Sequence, residues 1–145
     1  MQSRSLIRCI WRALVVASLV FVATASGAAD RIVIIGHAAL HKIDAATVQR
    51  IYTGKVVMVD GTPVVPFNVA PGQAMRQRFL ADYLQQDEDK FTAYWTVRRY
   101  VGKGAPPREV KDTAAMLEQI SKTPGALGYI EEGDVTPGMN VLLRK

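Results

Sequence analysis

The stretch with the clearest chemical potential is Asn68 to Arg78, read Asn-Val-Ala-Pro-Gly-Gln-Ala-Met-Arg-Gln-Arg. A Pro71-Gly72 loop opens a helical pattern there. The first turn of a helix leaves backbone N–H groups unpartnered, and the aligned peptide dipoles add a positive end, so the two together attract an anion. Arg76 stands in line with Leu80 and Leu84 at helical spacing, which sets a guanidinium at the start of a partly buried face. From there it could grip an oxyanion through two donors. The plainer alternative is that its stem lies on that face and its head reaches water. Arg78 is spaced to pair with Asp82 on the outer side of the same helix.

Other reactive side chains form no machinery. His37 and His41 are the only histidines and flank a loop after the first strand pattern. A loop histidine at the mouth of an α/β sheet can touch a ligand, although capping and surface roles are commoner. No serine elbow and no His-Glu-x-x-His pattern accompanies them, so the chain reads as non-enzymatic. Three adjacent carboxylates, Asp87, Glu88 and Asp89, diverge at a helix start and complement its dipole better than they chelate. No metal and no cofactor is expected. Tyr52, Tyr94, Trp95 and Tyr100 sit at helical spacings that favour the core over an aromatic ligand site. The cations Arg98, Arg99, Lys103 and Arg108 surround a Gly/Pro loop and read as a solvated face, with a docking surface as the alternative.

The elements that must position these residues follow from pattern. Arg31 to Ile35 is a β-branched run suited to a buried strand. Asp44 caps a helix carrying Ala45, Val48, Ile51 and Tyr52, and Gly54 stops it. Val56–Val59 and Thr62–Phe67 are extended runs around Asp60-Gly61, a hairpin signal. A helix is predicted over Gly72–Gln85, another from Asp87 to Arg99, then a loop from Val101 to Glu109. Asp112 caps a further helix that Pro124-Gly125 breaks, and Ala126–Ile130 and Met139–Leu143 read as strands. This order describes one α/β domain with a mixed sheet.

The opening segment bounds where the domain works. Arg4, Arg8 and Arg12 precede an apolar run from Ala13 through Val22, and Ala23-Thr24-Ala25 and Ser26-Gly27-Ala28 fit a small-x-small cleavage pattern. Residues 1–29 read as a secretory signal peptide and 30–145 as the mature domain. The apolar run is about half of the ~20 residues needed to span a bilayer, so no transmembrane anchor is expected after cleavage. Of 18 basic side chains, those three arginines go with the signal, while all 13 acidic ones lie at or after Asp30. The mature chain keeps 15 basic residues against 13 acidic, a net of +2, which removes the support for a nucleic-acid partner. Cys9, the single cysteine, also goes, so the domain must hold together by its core without disulfide or thiol chemistry.

Several pieces now combine. Ile51-Tyr52-Thr53-Gly54-Lys55 follows a capped helix, Pro66-Phe67-Asn68 ends the hairpin region, and Arg76-Gln77-Arg78-Phe79 opens the next helix. Trp95, Gly102-Lys103-Gly104-Ala105-Pro106-Pro107 and Pro124-Gly125-Ala126-Leu127-Gly128-Tyr129-Ile130 come after. This order resembles the small single-lobe proteins related to the phosphate substrate-binding component of ABC transporters, in the type II periplasmic binding protein superfamily. The resemblance implies an α/β single lobe with a mixed sheet flanked by about four helices, working in the periplasm. Two-lobed relatives hold phosphate with a Ser-Gly-Thr at a helix start, where this chain reads Ala70-Pro71-Gly72-Gln73. Without those hydroxyls, the backbone near Gly72, with Asn68, Gln73 and Arg76, would bind phosphate or another small oxyanion, and His37 would contribute from a neighbouring loop. The alternative is a ligand-free module that docks on an inner-membrane transporter, a sensor or another envelope protein.

Overall fold

The computed structural model describes residues 26–145. The signal segment up to residue 25 therefore lies outside the described residues. A short helix α1 (Ser26–Ala29) leads into β1 (Ile32–Gly36), which is buried at every position. Such a strand shows no polar–apolar alternation because the sheet is covered on both faces.

Helix α2 (Ala45–Tyr52) starts as expected, with the Asp44 carboxylate accepting the Thr47 N–H at 2.7 Å. Asp60 and Gly61, at φ 47° and 78°, make the tight turn between β2 (Met58–Val59) and β3 (Thr62–Pro63). The second extended run does not stay one strand. Val64 N–H still bonds back to the Val57 carbonyl, but Val65 N–H bonds to the Gly125 carbonyl, and from there β4 (Val65–Val69) belongs to the main sheet.

Helix α3 (Ala74–Phe79) widens into a π turn (Leu80–Leu84) that Gln85 closes at φ 55°. Helix α4 (Glu88–Tyr100) is capped by Asp87, and α5 (Thr113–Lys122) by Asp112. Between them, the segment read as loop to Glu109 contains a short strand, β5 (Arg108–Val110). Strand β6 (Ala126–Glu131), a 3₁₀ turn (Glu132–Asp134) and β7 (Val141–Arg144) complete the chain.

The main sheet runs β5-β4-β6-β1-β7. Strand β4 is parallel to β5 and β6, while β1 is antiparallel to β6 and β7. Alternation along β6 defines the layers. The Tyr129 ring stacks on Phe79 at 3.9 Å, whereas a Cβ on the adjacent Gly128 would meet Met116 of α5. One face thus carries α2, α3 and the π turn, and the other carries α5. Tyr52, Phe79, Tyr83 and Tyr129 form an aromatic core between sheet and helices, with neighbouring centroids 3.9–6.4 Å apart.

Candidate functional site

Strands β4 and β5 run parallel, and their carboxyl ends deliver the chain to α3 on one face and α5 on the other. In doubly covered sheets, ligands bind at such a reversal. The predicted site residues lie around it. Gly72 takes φ 89°, and open space surrounds the position a Cβ would occupy. Gln73 starts α3 without a side-chain cap, and its Nε2 instead donates to the Lys111 carbonyl at 2.7 Å, bridging the two loops. Ala70 N–H bonds to the Val110 carbonyl at 2.8 Å, so β4 and β5 stay joined to the lip.

Arg76 sits beneath this lip with 3% of its surface exposed. Its Nε and Nη2 donate to the two oxygens of Glu88 at 2.8 and 2.6 Å. Its Nη1 donates to the Val69 carbonyl at 2.8 Å and to Glu109 Oε1 at 3.0 Å. Burial works against the guanidinium charge, but its bonds to Glu88 and Glu109, with the attraction of their charges, together outweigh it and raise its pKa. The expectation of a free anion-gripping arginine meets a different arrangement: Arg76 is an internal strut between α3, α4 and the β4–β5 pair. Neither α4 nor β5 is near it in sequence, so spacing along one helix could not reveal these partners. Asn68 is likewise inward, 1% exposed, with its Oδ1 accepting from the Tyr129 hydroxyl, which in turn accepts the Val69 N–H at 3.2 Å. Burial is the main cause that pushes the Tyr129 hydroxyl pKa up.

His37 is not brought to this site. Its N–H bonds to the Ala126 carbonyl, and Ala126 pairs with Val65, at the opposite end of β4 from Val69. Four strand residues separate those ends, about 13 Å. The reason is direction: β1 is antiparallel to β6, which is parallel to β4, so its carboxyl end lies at the other end of the sheet. There the His37 ring accepts Ala39 N–H through Nδ1, and Asn140 Nδ2 donates to the His37 carbonyl.

Two further expectations change. Arg78 pairs with Glu131 and, at 3.9 Å, with Asp30, rather than with Asp82. Arg98 is no part of a solvated basic face. Its Nη2 donates to the carbonyls of Gly54 and Lys103, and its guanidinium lies over Tyr94 and Trp95. Among the described residues no cluster of three His, Cys, Asp or Glu side chains could hold a metal, and no helix is long and apolar enough to cross a membrane.

With the fold in view, its class is clear: the described chain has the fold of a lobe of phosphate ABC transporter substrate-binding proteins. An ABC-type phosphate transport receptor from Vibrio cholerae shares it with a TM-score of 0.59 and 14% identity, over 78% of this chain and 45% of that one. A protein described as a phosphate ABC transporter substrate-binding protein, from Clostridium perfringens and holding bound phosphate, shares it with a TM-score of 0.60 and 17% identity, over 78% of this chain and 44% of that one. The chain spans less than half the length of either. No protein-family model and no curated protein matches the sequence.

Proposed function

We propose that this chain is an exported, non-enzymatic solute-binding-type protein that meets a small oxyanion, phosphate first, at the carboxyl ends of β4 and β5. The start of α3 supports this reading most. Helices α2, α4 and α5 each receive an aspartate onto a first-turn N–H, whereas α3 begins at Gln73 with none. Beside open space at Gly72, its first-turn amides are left for an outside acceptor. Asn68 and Arg76 then shape the loop from below without touching the anion. Glu88 and Glu109 outnumber Arg76, so the local charge is negative and binding is weak, in the millimolar range expected of an open, water-screened site.

Titration calorimetry of residues 29–145 with phosphate, sulfate and acetate tests this. Saturable heat with phosphate is expected, lost in Gly72→Val, which strains the loop at its positive φ. No heat with any of the three at millimolar concentration sinks the reading. Residues 1–29 are proposed to direct export, so protein recovered from the periplasm should begin between Ser26 and Asp30 on N-terminal sequencing. An uncleaved Met1 terminus in that compartment would contradict it.

A second reading has its own observation. The exposed large apolar residues Val57, Met58, Val97, Tyr100 and Val101 gather on the β2–β3 hairpin and the last turn of α4, and Tyr100 is 92% exposed. A module that docks on an inner-membrane transporter or sensor would use such residues. Loss of co-purification with envelope proteins in Tyr100→Ser, with anion heat unchanged, would favour that role.

A further inference from the structure

We infer that the end of α4 and the β2–β3 hairpin form a surface that seats this chain on an anionic lipid bilayer. Among the described residues, the exposed large apolar side chains all fall in two segments: Val57-Met58 at the hairpin, and Val97, Tyr100 and Val101 at the end of α4. The last three are spaced i, i+3, i+4, so they share one helix face.

The two segments abut. Arg98 Nη2 donates to the Gly54 carbonyl at 3.2 Å and to the Lys103 carbonyl at 2.9 Å, which ties the approach to the hairpin to the loop after α4. Val57 and Lys103 also line one cavity of about 230 Å³, with Trp95 in its wall.

Charge says what covers them. From Arg50 to Val59 the chain holds Arg50 and Lys55 and no acid. From Lys90 to Arg108 it holds Lys90, Arg98, Arg99, Lys103 and Arg108, again with no acid. Arg98 is spent on the two carbonyls, but Lys55, Arg99 and Lys103 are exposed. Asp60, the acid next along from the hairpin segment, sits at the turn and faces His41 at 3.5 Å.

Apolar side chains flanked by cations match a layer of anionic headgroups over hydrocarbon. A tyrosine ring suits that boundary, and lysine stems can lie along apolar surface while their heads stay in water. A protein partner fits less well, because protein interfaces gather apolar residues into a charge-depleted centre with few lysines. Here each apolar segment has a cation within two residues, Lys55 before Val57, Arg99 beside Tyr100 and Lys103 after Val101.

Flotation of purified residues 29–145 with protein-free vesicles tests this. The chain is expected to rise with vesicles of equal parts phosphatidylglycerol and phosphatidylcholine, and not with phosphatidylcholine alone. Lys55→Gln combined with Lys103→Gln should weaken binding about tenfold, and Tyr100→Ser combined with Val101→Ser by a similar factor. All four side chains are exposed, so the dichroism of both variants should match the parent's. The same charge loss at Lys111 and Lys145, which follow β5 and β7 at the other end of the sheet, should change binding little. Equal losses from the two lysine pairs would mean attraction by net charge alone and overturn the inference. So would parent-like binding in the Tyr100-Val101 variant, or equal flotation on phosphatidylcholine alone. A chain that stays out of anionic vesicles overturns it too, and leaves the patch to a protein partner. No residue of the loop before α3 takes part, so the outcome is independent of phosphate binding.

Discussion

Burying a guanidinium is costly unless its donors are answered, and Arg76 is answered by Glu88 twice, by Glu109 and by the Val69 carbonyl. Removing it leaves two carboxylates facing a hole, although Glu88 and Glu109 are partly open to water and can rehydrate. Arg76→Ala is therefore expected to destabilise the fold by about 2–3 kcal/mol, somewhat below the loss typical of a fully buried pair, as read from the urea midpoint. Arg76→Lys should recover little, because an ammonium cannot reproduce the fork on Glu88. Full stability in Arg76→Ala with loss of phosphate heat would return Arg76 to the role of ligand contact. The residue type and its place on a half-buried face were legible in the chain. Its partners were not, since Glu88 and Glu109 arrive from another helix and from an edge strand.

At the scale of elements, the two motifs that carry the family resemblance turn out to hold the fold. Gly54, at φ 67°, ends α2 where its carbonyl accepts from Arg98 and its bare Cα lies against Trp95. Tyr94 hydroxyl donates to the Thr53 carbonyl at 2.7 Å, so the Ile-Tyr-Thr-Gly segment is the seat of α4. In the second motif Gly125, at φ 75°, lets Pro63 pass so closely that a Cβ would fall 1.9 Å from its carbonyl oxygen. Gly125→Ala must both strain its backbone and push the hairpin off β6. A loss above the ~1–3 kcal/mol of the backbone conformation alone is expected in thermal denaturation. An alanine variant as stable as the parent would show that the hairpin is not pinned there. Capped helices were easy to read because each aspartate cap is local. Strand β5 was not, because it has three residues, two of them charged, and exists only by pairing with β4 at the sheet edge.

For the whole molecule, the aromatic core links stability to alkaline pH. Burial raises the Tyr52 hydroxyl well above its ordinary value of 10.0. Burial, followed by Asp82 and Glu132, raises Tyr83 to about 12. Tyr129 is raised as well, again first by burial. Above pH 10 the unfolded chain releases these protons while the folded one keeps them, so folding stability is complete below that pH and falls as pH rises. Each buried tyrosine contributes up to about 1.4 kcal/mol per pH unit between its unfolded and folded values. The tyrosinate absorbance of these three buried residues and the loss of near-ultraviolet dichroism should therefore rise together in an alkaline titration. Ionisation of all tyrosines near pH 10 without unfolding would show that the core does not exclude the charge.

The sequence by itself determined the α/β class, the caps, the hairpin turn and the single-lobe resemblance, because these depend on residues a few positions apart. Tertiary structure decided what the chemically suggestive residues face. Strand direction carried His37 to the far end of the sheet, and distant carboxylates claimed Arg76. The physical reason is common to both: a local pattern sets conformation and burial, but a charged group's role depends on which partners the packed chain brings within bonding distance.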